Sequence, residues 1–422
     1  MAQKVTVSII NVGDELLLGI RTNSHLTYLG KQLSFLGLNI GHCQVIPDKL
    51  QEIENSVKIA QLRSEIIIIT GGLGPTKDDL TLEGVANALC RPLVYNELIF
   101  ESIKKRFSQL GREISSIHKN QCYQLEGSKL LMNERGTAPG SIIITEKSLI
   151  VLLPGPSHEL NPMFINSVIP YLKKHFRLSK KPAYVQLRTC GLGESSVEQK
   201  ISPILEKYPN TEVAFCVHLG IVDVRISMKN EVSKPDYLDI IAGECRLVLA
   251  DNFVGYGSVS LAEVIYHELR ERQQTLAVAE SCTGGLMGNA FTDISGVSKV
   301  FQGGVVCYAN AVKILQLGVP EEIIEQHGAV SGECAIAMAS GVAENLTSDY
   351  GLSITGFAGP EGGTKDNPVG TIHIGLYSPV GIWAKSVRYV GGRLDVKARA
   401  VNSALDWLRR LLIKGQTSFS GN

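Results

Sequence analysis

One short turn of the chain holds several nucleophile candidates beside backbone hydrogen-bond donors. An apolar strand-like run, 275–280, precedes this turn, and the amphipathic run Leu286–Phe291 follows it. A helix N-terminus has free N–H donors and positive potential, so the turn suits a developing oxyanion or a phosphate. The alternative is a structural turn whose hydroxyls only cap the helix. The residues concerned are Glu280, Ser281, Cys282, Thr283, Gly284 and Gly285.

Later segments repeat this arrangement. Polar residues and glycines again stand near the ends of apolar runs in Phe301–Lys313, Gly328–Ser331, Ser353–Gly363 and Pro368–Thr371. Open α/β sheets build ligand sites from several strand ends at one edge. We therefore expect these segments to contribute to one site.

In this order, the five segments resemble the C-terminal domain of the CinA family (competence/damage-inducible protein A). The resemblance covers about Ser258 to Leu412. It implies a nicotinamide-nucleotide amidase, which hydrolyses nicotinamide mononucleotide (NMN) to nicotinate mononucleotide and ammonia. It implies no cofactor for this domain.

Amide hydrolysis requires an activated nucleophile and an oxyanion hole. Ser281 is our first choice as nucleophile, and Lys313, beyond the strand-like run Val305–Tyr308, could serve as its base if desolvation favours the neutral amine. Cys282 is the rival because a thiolate is intrinsically more nucleophilic. No histidine in these motifs could pair with it, and a small buried thiol is the alternative. We expect Glu280 to orient its neighbours.

The remaining C-terminal candidates bind substrate or support the nucleophile. Tyr308 and Asn310 could hold the ribose or the pyridine amide, and Thr355-Gly356 could support the nucleophile or the phosphate. We count the Tyr308 and Thr355 side chains among the catalytic groups. Arg393 fits a phosphate clamp, and Lys397 is either a second basic residue of that clamp or a solvated surface charge.

A second candidate site follows the strand-like run Ile66–Ile69. The segment Thr70–Thr81 is rich in glycine and acid, and Gly13-Asp14-Glu15 leaves the first strand in the same way. Glycines allow backbone to approach an anion, whereas carboxylates beside phosphate need a divalent cation such as Mg²⁺ between them. Lys77 or Arg21 could offset phosphate charge. The predicted metal ligands are Asp14, Glu15, Asp78 and Asp79.

Asp78 and Asp79 have an alternative role as acids favoured by a helix N-terminus. The N-terminal motifs nevertheless look like the molybdopterin-binding domain of molybdenum-cofactor biosynthesis proteins, in its CinA variant. In CinA-like proteins this domain is associated with metal-dependent ADP-ribose pyrophosphatase activity. The binding residues that the resemblance implies are Asn23, Gly71, Gly72, Gly74, Thr76, Pro154 and Gly155.

The element pattern predicts three domains in an α/β chain. Apolar runs alternate with helical spacing from Val5 onward, which indicates a doubly wound, mostly parallel sheet over 1–175. A linker at Ser179–Pro182 leads to a small α+β module over 180–252, similar to the KH-type linker of the family. After a joint at Asp251–Ser258, the α/β amidase domain occupies 258–415. We expect Asp48 to cap a helix, and Ser260–Glu263 to form a capping box.

Composition excludes several classes of protein. The 422 residues carry 41 basic and 41 acidic side chains, so no overall field favours nucleic acid. The middle module lacks a Gly-x-x-Gly clamp, so we expect no RNA binding. Apolar runs are too short to span a membrane, and no signal peptide opens the chain. Nine scattered cysteines favour a reducing cytoplasm.

These observations favour a cytoplasmic homodimer of pyridine-nucleotide salvage, which deamidates NMN and cleaves ADP-ribose with a divalent cation. One alternative is a non-catalytic accessory factor for competence or DNA recombination. Another is an N-terminal domain that only binds molybdopterin.

Overall fold

The computed structural model describes residues 5–176, 178, 184–229 and 237–414. The chain divides into two compact units, Met1–Ala183 and Tyr184–Asn422. The predicted linker Ser179–Pro182 lies outside the described residues. No helix in the described ranges is both long enough and apolar enough to cross a membrane.

The first unit contains a six-stranded sheet with the order β2-β1-β3-β8-β7-β6. Its elements are β1 (Thr6–Val12), α1 (Asp14–Leu17), α2 (Ser24–Phe35), β2 (Asn39–Ile46), α3 (Leu50–Gln61), β3 (Ile66–Thr70), α4 (Thr81–Leu89), β4 (Leu93–Tyr95), α5 (Glu97–Gln109), β5 (Tyr123–Leu125), β6 (Lys129–Leu131), β7 (Gly140–Ile144), β8 (Leu149–Leu153), α6 (Ser157–Met163) and α7 (Ile169–His175).

The predicted doubly wound architecture is confirmed in this unit. Strands β2, β1, β3 and β8 run parallel, and β7 pairs antiparallel with both β8 and β6. The isoleucines of β3 are fully buried, since separate apolar clusters cover the two faces of the sheet. The carboxyl ends of β1, β3 and β8 therefore deliver their polar loops to one edge of the sheet.

The expected cap at Asp48 is wrong. Helix α3 begins after Lys49 without a side-chain cap, and Asp48 Oδ2 instead accepts the backbone N–H of Asp14 at 2.9 Å. Asp48 thereby joins the loops that follow β1 and β2, which brings a further carboxylate to the acidic edge of the sheet.

The second unit contains two sheets, with the orders β10-β11-β9-β12 and β14-β13-β15-β16-β17. Its elements are β9 (Tyr184–Cys190), α8 (Glu194–Leu205), β10 (Thr211–His218), β11 (Ile221–Met228), α9 (Tyr237–Leu249), β12 (Phe253–Tyr256), α10 (Leu261–Arg272), β13 (Leu276–Glu280), α11 (Leu286–Thr292), β14 (Phe301–Val306), α12 (Asn310–Leu317), α13 (Glu321–His327), α14 (Gly332–Asn345), β15 (Tyr350–Gly356), β16 (Thr371–Ser378), β17 (Gly381–Arg388) and α15 (Arg393–Lys414).

The expected joint at Asp251–Ser258 contains strand β12, which pairs antiparallel with β9. A buried ion cluster also connects α15 to the small antiparallel sheet. Asp406, only 1% exposed, accepts hydrogen bonds from Arg409 and Arg410. Those guanidinium groups donate in turn to the carbonyls of Asp251, Phe253 and Cys190. The α+β module and the C-terminal α/β domain thus form one compact unit.

The C-terminal sheet places its functional turn at the end of a central strand. Strand β13 lies between β14 and β15, and all three are parallel. Small residues such as Ala277 and Ala279 allow helix α14 to pack closely on the sheet. The predicted capping box at Ser260 and Glu263 opens α10. Ser281 directly follows β13 at the carboxyl edge.

Candidate active site

Lys313 lies within hydrogen-bond distance of Ser281 in the second unit. Its side chain is 1% exposed on the inner face of α12, and Nζ lies 3.2 Å from Ser281 Oγ. Nζ also donates to the carbonyls of Cys307 at 2.8 Å and Tyr308 at 3.3 Å. A neutral amine has two N–H groups and one lone pair. If a neutral amine gave both hydrogens to these carbonyls, its lone pair would be left to accept a hydrogen bond from the Ser281 hydroxyl.

Glu280 holds the turn after β13 in place. Its carboxylate is buried and accepts the backbone N–H groups of Gly285 at 3.1 Å, Met287 at 3.0 Å and Gly288 at 2.8 Å. These are the free donors that the sequence suggested for an oxyanion or phosphate, and Glu280 already occupies them. A carboxylate at this position also stabilises the positive end of α11. The Glu280 side chain is therefore a structural anchor for the turn.

Other amides of the turn remain open. Within the described ranges, the N–H groups of Thr283 and Leu286 have no hydrogen-bond acceptor, and the N–H of Cys282 contacts only its own thiol. Gly284 and Gly285 both have positive φ, 63° and 98°, so the chain reverses sharply here. The turn presents these three donors close to the Ser281 hydroxyl in sequence. They are the candidates for an oxyanion hole.

Cys282 has the environment of a protonated core thiol. The side chain is 5% exposed, and burial raises the pKa of the Cys282 thiol to about 11, although the charges of Arg393 and Lys397 oppose the shift. A thiol with such a pKa contains very little thiolate at neutral pH. The geometry therefore favours Ser281 over its neighbour as the nucleophile.

Arg393 connects three of the sequence motifs. Its guanidinium donates to the carbonyl of Gly359 at 2.7 Å and to the Tyr308 hydroxyl at 3.1 Å. Lys397 also reaches the turn, since a Cβ built at Gly284 would lie 3.8 Å from Lys397 Nζ. Two cations at the start of α15 thus stand beside the Ser281 turn. An anionic group of a ligand could bind there.

Tyr308 and Asn310 follow β14 and border the same region. Strand β14 ends at Val306, whereas the sequence predicted that it would extend to Tyr308. The Tyr308 side chain is exposed apart from its contact with Arg393, and Asn310 is exposed as the first residue of α12. Both side chains are accessible to a ligand.

The Thr355-Gly356 segment has a different environment from the one expected. The buried Thr355 hydroxyl donates to the carbonyl of Ala329 at 2.7 Å. A Cβ at Gly356 would lie 2.6 Å from the carbonyl oxygen of Thr371, so glycine is required here by packing. Thr355 supports the loop between α13 and α14, whereas Gly356 packs against the start of β16.

In the first unit, a cavity of about 450 Å³ lies at the carboxyl edge of the sheet. It brings together most of the N-terminal candidates, whereas Asp14 does not line it and Thr76 lines a smaller adjoining cavity of about 240 Å³. The predicted residues that line the larger cavity are Glu15, Asn23, Gly71, Gly72, Gly74, Asp78, Asp79, Pro154 and Gly155.

The cavity concentrates negative charge. Burial raises the pKa of Asp48, and the carboxylates of Asp14, Glu15 and Asp78 raise it further, against the hydrogen bond from the Asp14 amide. No three His, Cys, Asp or Glu side chains in the described ranges are close enough together to hold a metal ion by themselves. The charge fits a hydrated Mg²⁺, which is commonly bound through one or two carboxylates, several waters and substrate phosphates.

Asp79 stabilises the glycine-rich loop. Its Oδ2 accepts the backbone N–H of Thr76 at 2.8 Å and also the Thr76 hydroxyl. A Cβ at Gly74 would collide with this carboxylate, so Gly74 and Asp79 belong to the same loop conformation. Sequence patterns did not identify two residues of this cavity, Asp48 and His25. Asp48 is distant in sequence from the acids it joins, and His25 belongs to no motif.

Three family models match the chain. The CinA C-terminal domain matches residues 258–412, the probable molybdopterin binding domain matches 8–174, and the damage-inducible protein CinA KH domain matches 186–235.

Relatives match over nearly the whole length. A CinA-like protein of Dictyoglomus thermophilum is 39% identical, covering 96% of this chain and 98% of its own. A CinA-like protein of Dictyoglomus turgidum is 40% identical with the same coverage. Among solved structures, the competence/damage inducible protein CihA of Agrobacterium tumefaciens is 36% identical, covering 36% of this chain and 93% of its own, with a TM-score of 0.35.

Proposed function

Because this chain belongs to the CinA family, we propose that its C-terminal domain hydrolyses NMN to nicotinate mononucleotide and ammonia. One observation carries the proposal. The buried Lys313 amine lies 3.2 Å from Ser281 Oγ, and two carbonyls hold its other hydrogens. This is the arrangement that a Ser–Lys nucleophile requires.

The reaction follows the logic of other serine amidohydrolases. Lys313 Nζ takes the Ser281 proton as Oγ attacks the carboxamide carbon, and the open amides of the turn stabilise the oxyanion. Collapse of the tetrahedral intermediate breaks the C–N bond, and Lys313 returns the proton so that ammonia leaves. Water then attacks the acyl-serine by the same proton route, which releases nicotinate mononucleotide.

The charges around the turn support a phosphorylated substrate. Arg393 and Lys397 lie beside Gly284 and Cys282, close enough to oppose the raised pKa of the Cys282 thiol. Arginine suits phosphate because its planar donors match phosphate oxygens. We assign the NMN phosphate to this pair and the carboxamide to Ser281.

The test is ammonia release from NMN by the full chain carrying Ser281→Ala or Cys282→Ala. We expect the first variant to be inactive and the second to keep a substantial part of the activity, because the Cys282 thiol remains protonated near neutral pH. Equal melting temperatures would show that both variants fold. An active Ser281→Ala with an inactive Cys282→Ala would instead make the enzyme a thiol amidase.

A second activity is supported by the acidic cavity of the first unit. We propose that this domain cleaves a nucleoside diphosphate sugar such as ADP-ribose with a divalent cation. Glu15, Asp48 and Asp78 line the cavity, and one or two of them would hold the cation together with water. When bound, it would neutralise diphosphate charge. Gly71 and Gly72 allow backbone to approach the phosphates.

Mass spectrometry of AMP and ribose 5-phosphate formed from ADP-ribose tests this activity. We expect product with Mg²⁺, none in chelator, and a large loss in Asp78→Asn with NMN deamidation intact. Full cleavage in chelator would remove the role of the cation. Molybdopterin binding without any cleavage would favour a domain that only binds a pterin.

A further inference from the structure

A hydrogen-bonded chain of buried polar groups ends at the imidazole of His25. His25 is the second residue of α2, is half-buried and lines the cavity of about 450 Å³. Its Nδ1 lies 3.1 Å from Thr70 Oγ1, which lies 3.1 Å from Asn11 Oδ1. The amide of Asn11 donates to the carbonyl of Gln44 at 3.3 Å. Three strands of the unit, β3, β1 and β2, are therefore connected to this ring.

The direction of each hydrogen bond follows from the chemistry of its members. The Asn11 amide nitrogen donates to Gln44, so the amide oxygen faces Thr70 and can only accept. The single hydroxyl hydrogen of Thr70 is used for that bond. Thr70 Oγ1 must then accept from His25, which places the imidazole hydrogen on Nδ1 and the lone pair of the neutral ring on Nε2.

The surroundings favour the neutral ring. Burial lowers the pKa of His25, although the Gly155 carbonyl and the Glu15 carboxylate oppose the shift. Two carboxylates that line the cavity are already hydrogen-bonded. Glu159 accepts from Asn133 at 2.6 Å, and Asp79 accepts from Thr76. A neutral imidazole whose Nε2 lone pair is not used by Thr70 is a suitable proton acceptor near neutral pH, and the Gly155 carbonyl would stabilise the protonated ring.

We propose that His25 is the general base of diphosphate cleavage, an inference that rests on the second activity proposed above. Nε2 accepts a proton from water as the water oxygen forms a bond to one phosphorus. The bond from that phosphorus to the bridging oxygen breaks, and the bridging oxygen leaves with the other phosphate. ADP-ribose and water thus give AMP and ribose 5-phosphate, and Nε2 returns its proton to solvent.

Two substitutions separate a base from a structural residue. His25→Asn can place an amide nitrogen near the position of Nδ1 and keep the bond to Thr70, whereas His25→Gln cannot easily do so. We expect both variants, in the full chain with ADP-ribose and Mg²⁺, to lose about 10²- to 10⁴-fold in kcat with little change in KM. His42→Asn, an exposed histidine on β2, is the matched control and should keep wild-type activity.

A cation-free measurement checks the same ring. Nitrogen-15 NMR of the histidine side chains, with the His25 signals assigned by their loss in His25→Asn, should show hydrogen on Nδ1 and none on Nε2 near neutral pH. Hydrogen on Nε2 would overturn the inference. A His25→Asn variant whose kcat lies within tenfold of that of an active wild type would also overturn the inference. The ring would then serve only to hold Thr70. A wild type that cleaves no ADP-ribose would refute the proposed activity itself, and the inference with it.

Discussion

Replacement of Lys313 by methionine tests the proposed amidase mechanism most directly. Methionine keeps an unbranched, apolar stem in a site that is 1% exposed, and it removes only the amine. The carbonyls of Cys307 and Tyr308 lose a donor, and each such loss costs about 1–3 kcal/mol. Removal of a buried amine offsets part of this cost, because desolvating a polar group is unfavourable. We therefore expect a folded protein with a lower melting temperature.

The rate should respond much more strongly than the stability. Without an acceptor at 3.2 Å, the Ser281 hydroxyl keeps its proton, and loss of a general base lowers kcat by about 10²- to 10⁴-fold. KM should change little, since the amine contacts protein groups on every side. Lys313→Arg should be as inactive, because guanidinium only donates hydrogen bonds.

The assay is ammonia release from NMN at saturating substrate, with melting temperatures measured by circular dichroism. Lys299→Met, a solvent-exposed lysine of the same domain, is the matched control and should match the wild type. The reasoning would be refuted by a Lys313→Met variant that keeps more than a tenth of the wild-type kcat while Ser281→Ala is inactive. The base would then have to be another group.

Three further predictions concern the thiol, the acidic cavity and the ion cluster. Alkylation of Cys282, followed by peptide mass spectrometry, should be slow at pH 8 and accelerate toward pH 11, whereas the exposed Cys216 should react readily at pH 8. Burial and neighbouring carboxylates raise the pKa of Asp48, so the folded state binds the Asp48 proton more tightly than the unfolded state does. In thermal melts without divalent cations, stability should therefore fall as pH rises through the titration of Asp48. Asp48→Asn should weaken this pH dependence. Asp406→Asn leaves two buried guanidinium groups without a full counter-charge, so urea titrations should show the second unit destabilised by about 3–5 kcal/mol. The control Glu101→Gln, which breaks an exposed ion pair, should cost at most about 1 kcal/mol.

Local patterns in the sequence were sufficient for much of the fold. Strand β3 covers the predicted run Ile66–Ile69 and one further residue, Thr70, because apolar residues between turn signals define a buried parallel strand over a few positions. The capping box at Ser260 needs only residues three apart. The order of the motifs also identified the family, which the full-length relatives show.

The sequence by itself therefore determined the features that depend on residues close together along the chain. These are the periodicity of strands, one helix cap, and the presence of Ser281 and Lys313 in successive motifs. Tertiary structure decided which groups meet. Glu280 faces its own helix, Asp48 joins acids 34 residues away, and Asp406 attaches α15 to the small sheet. The role of each depends on the position of distant backbone donors, acceptors and charges. Those positions exist only after packing, because a buried polar group takes whichever partner the folded chain brings within hydrogen-bond distance.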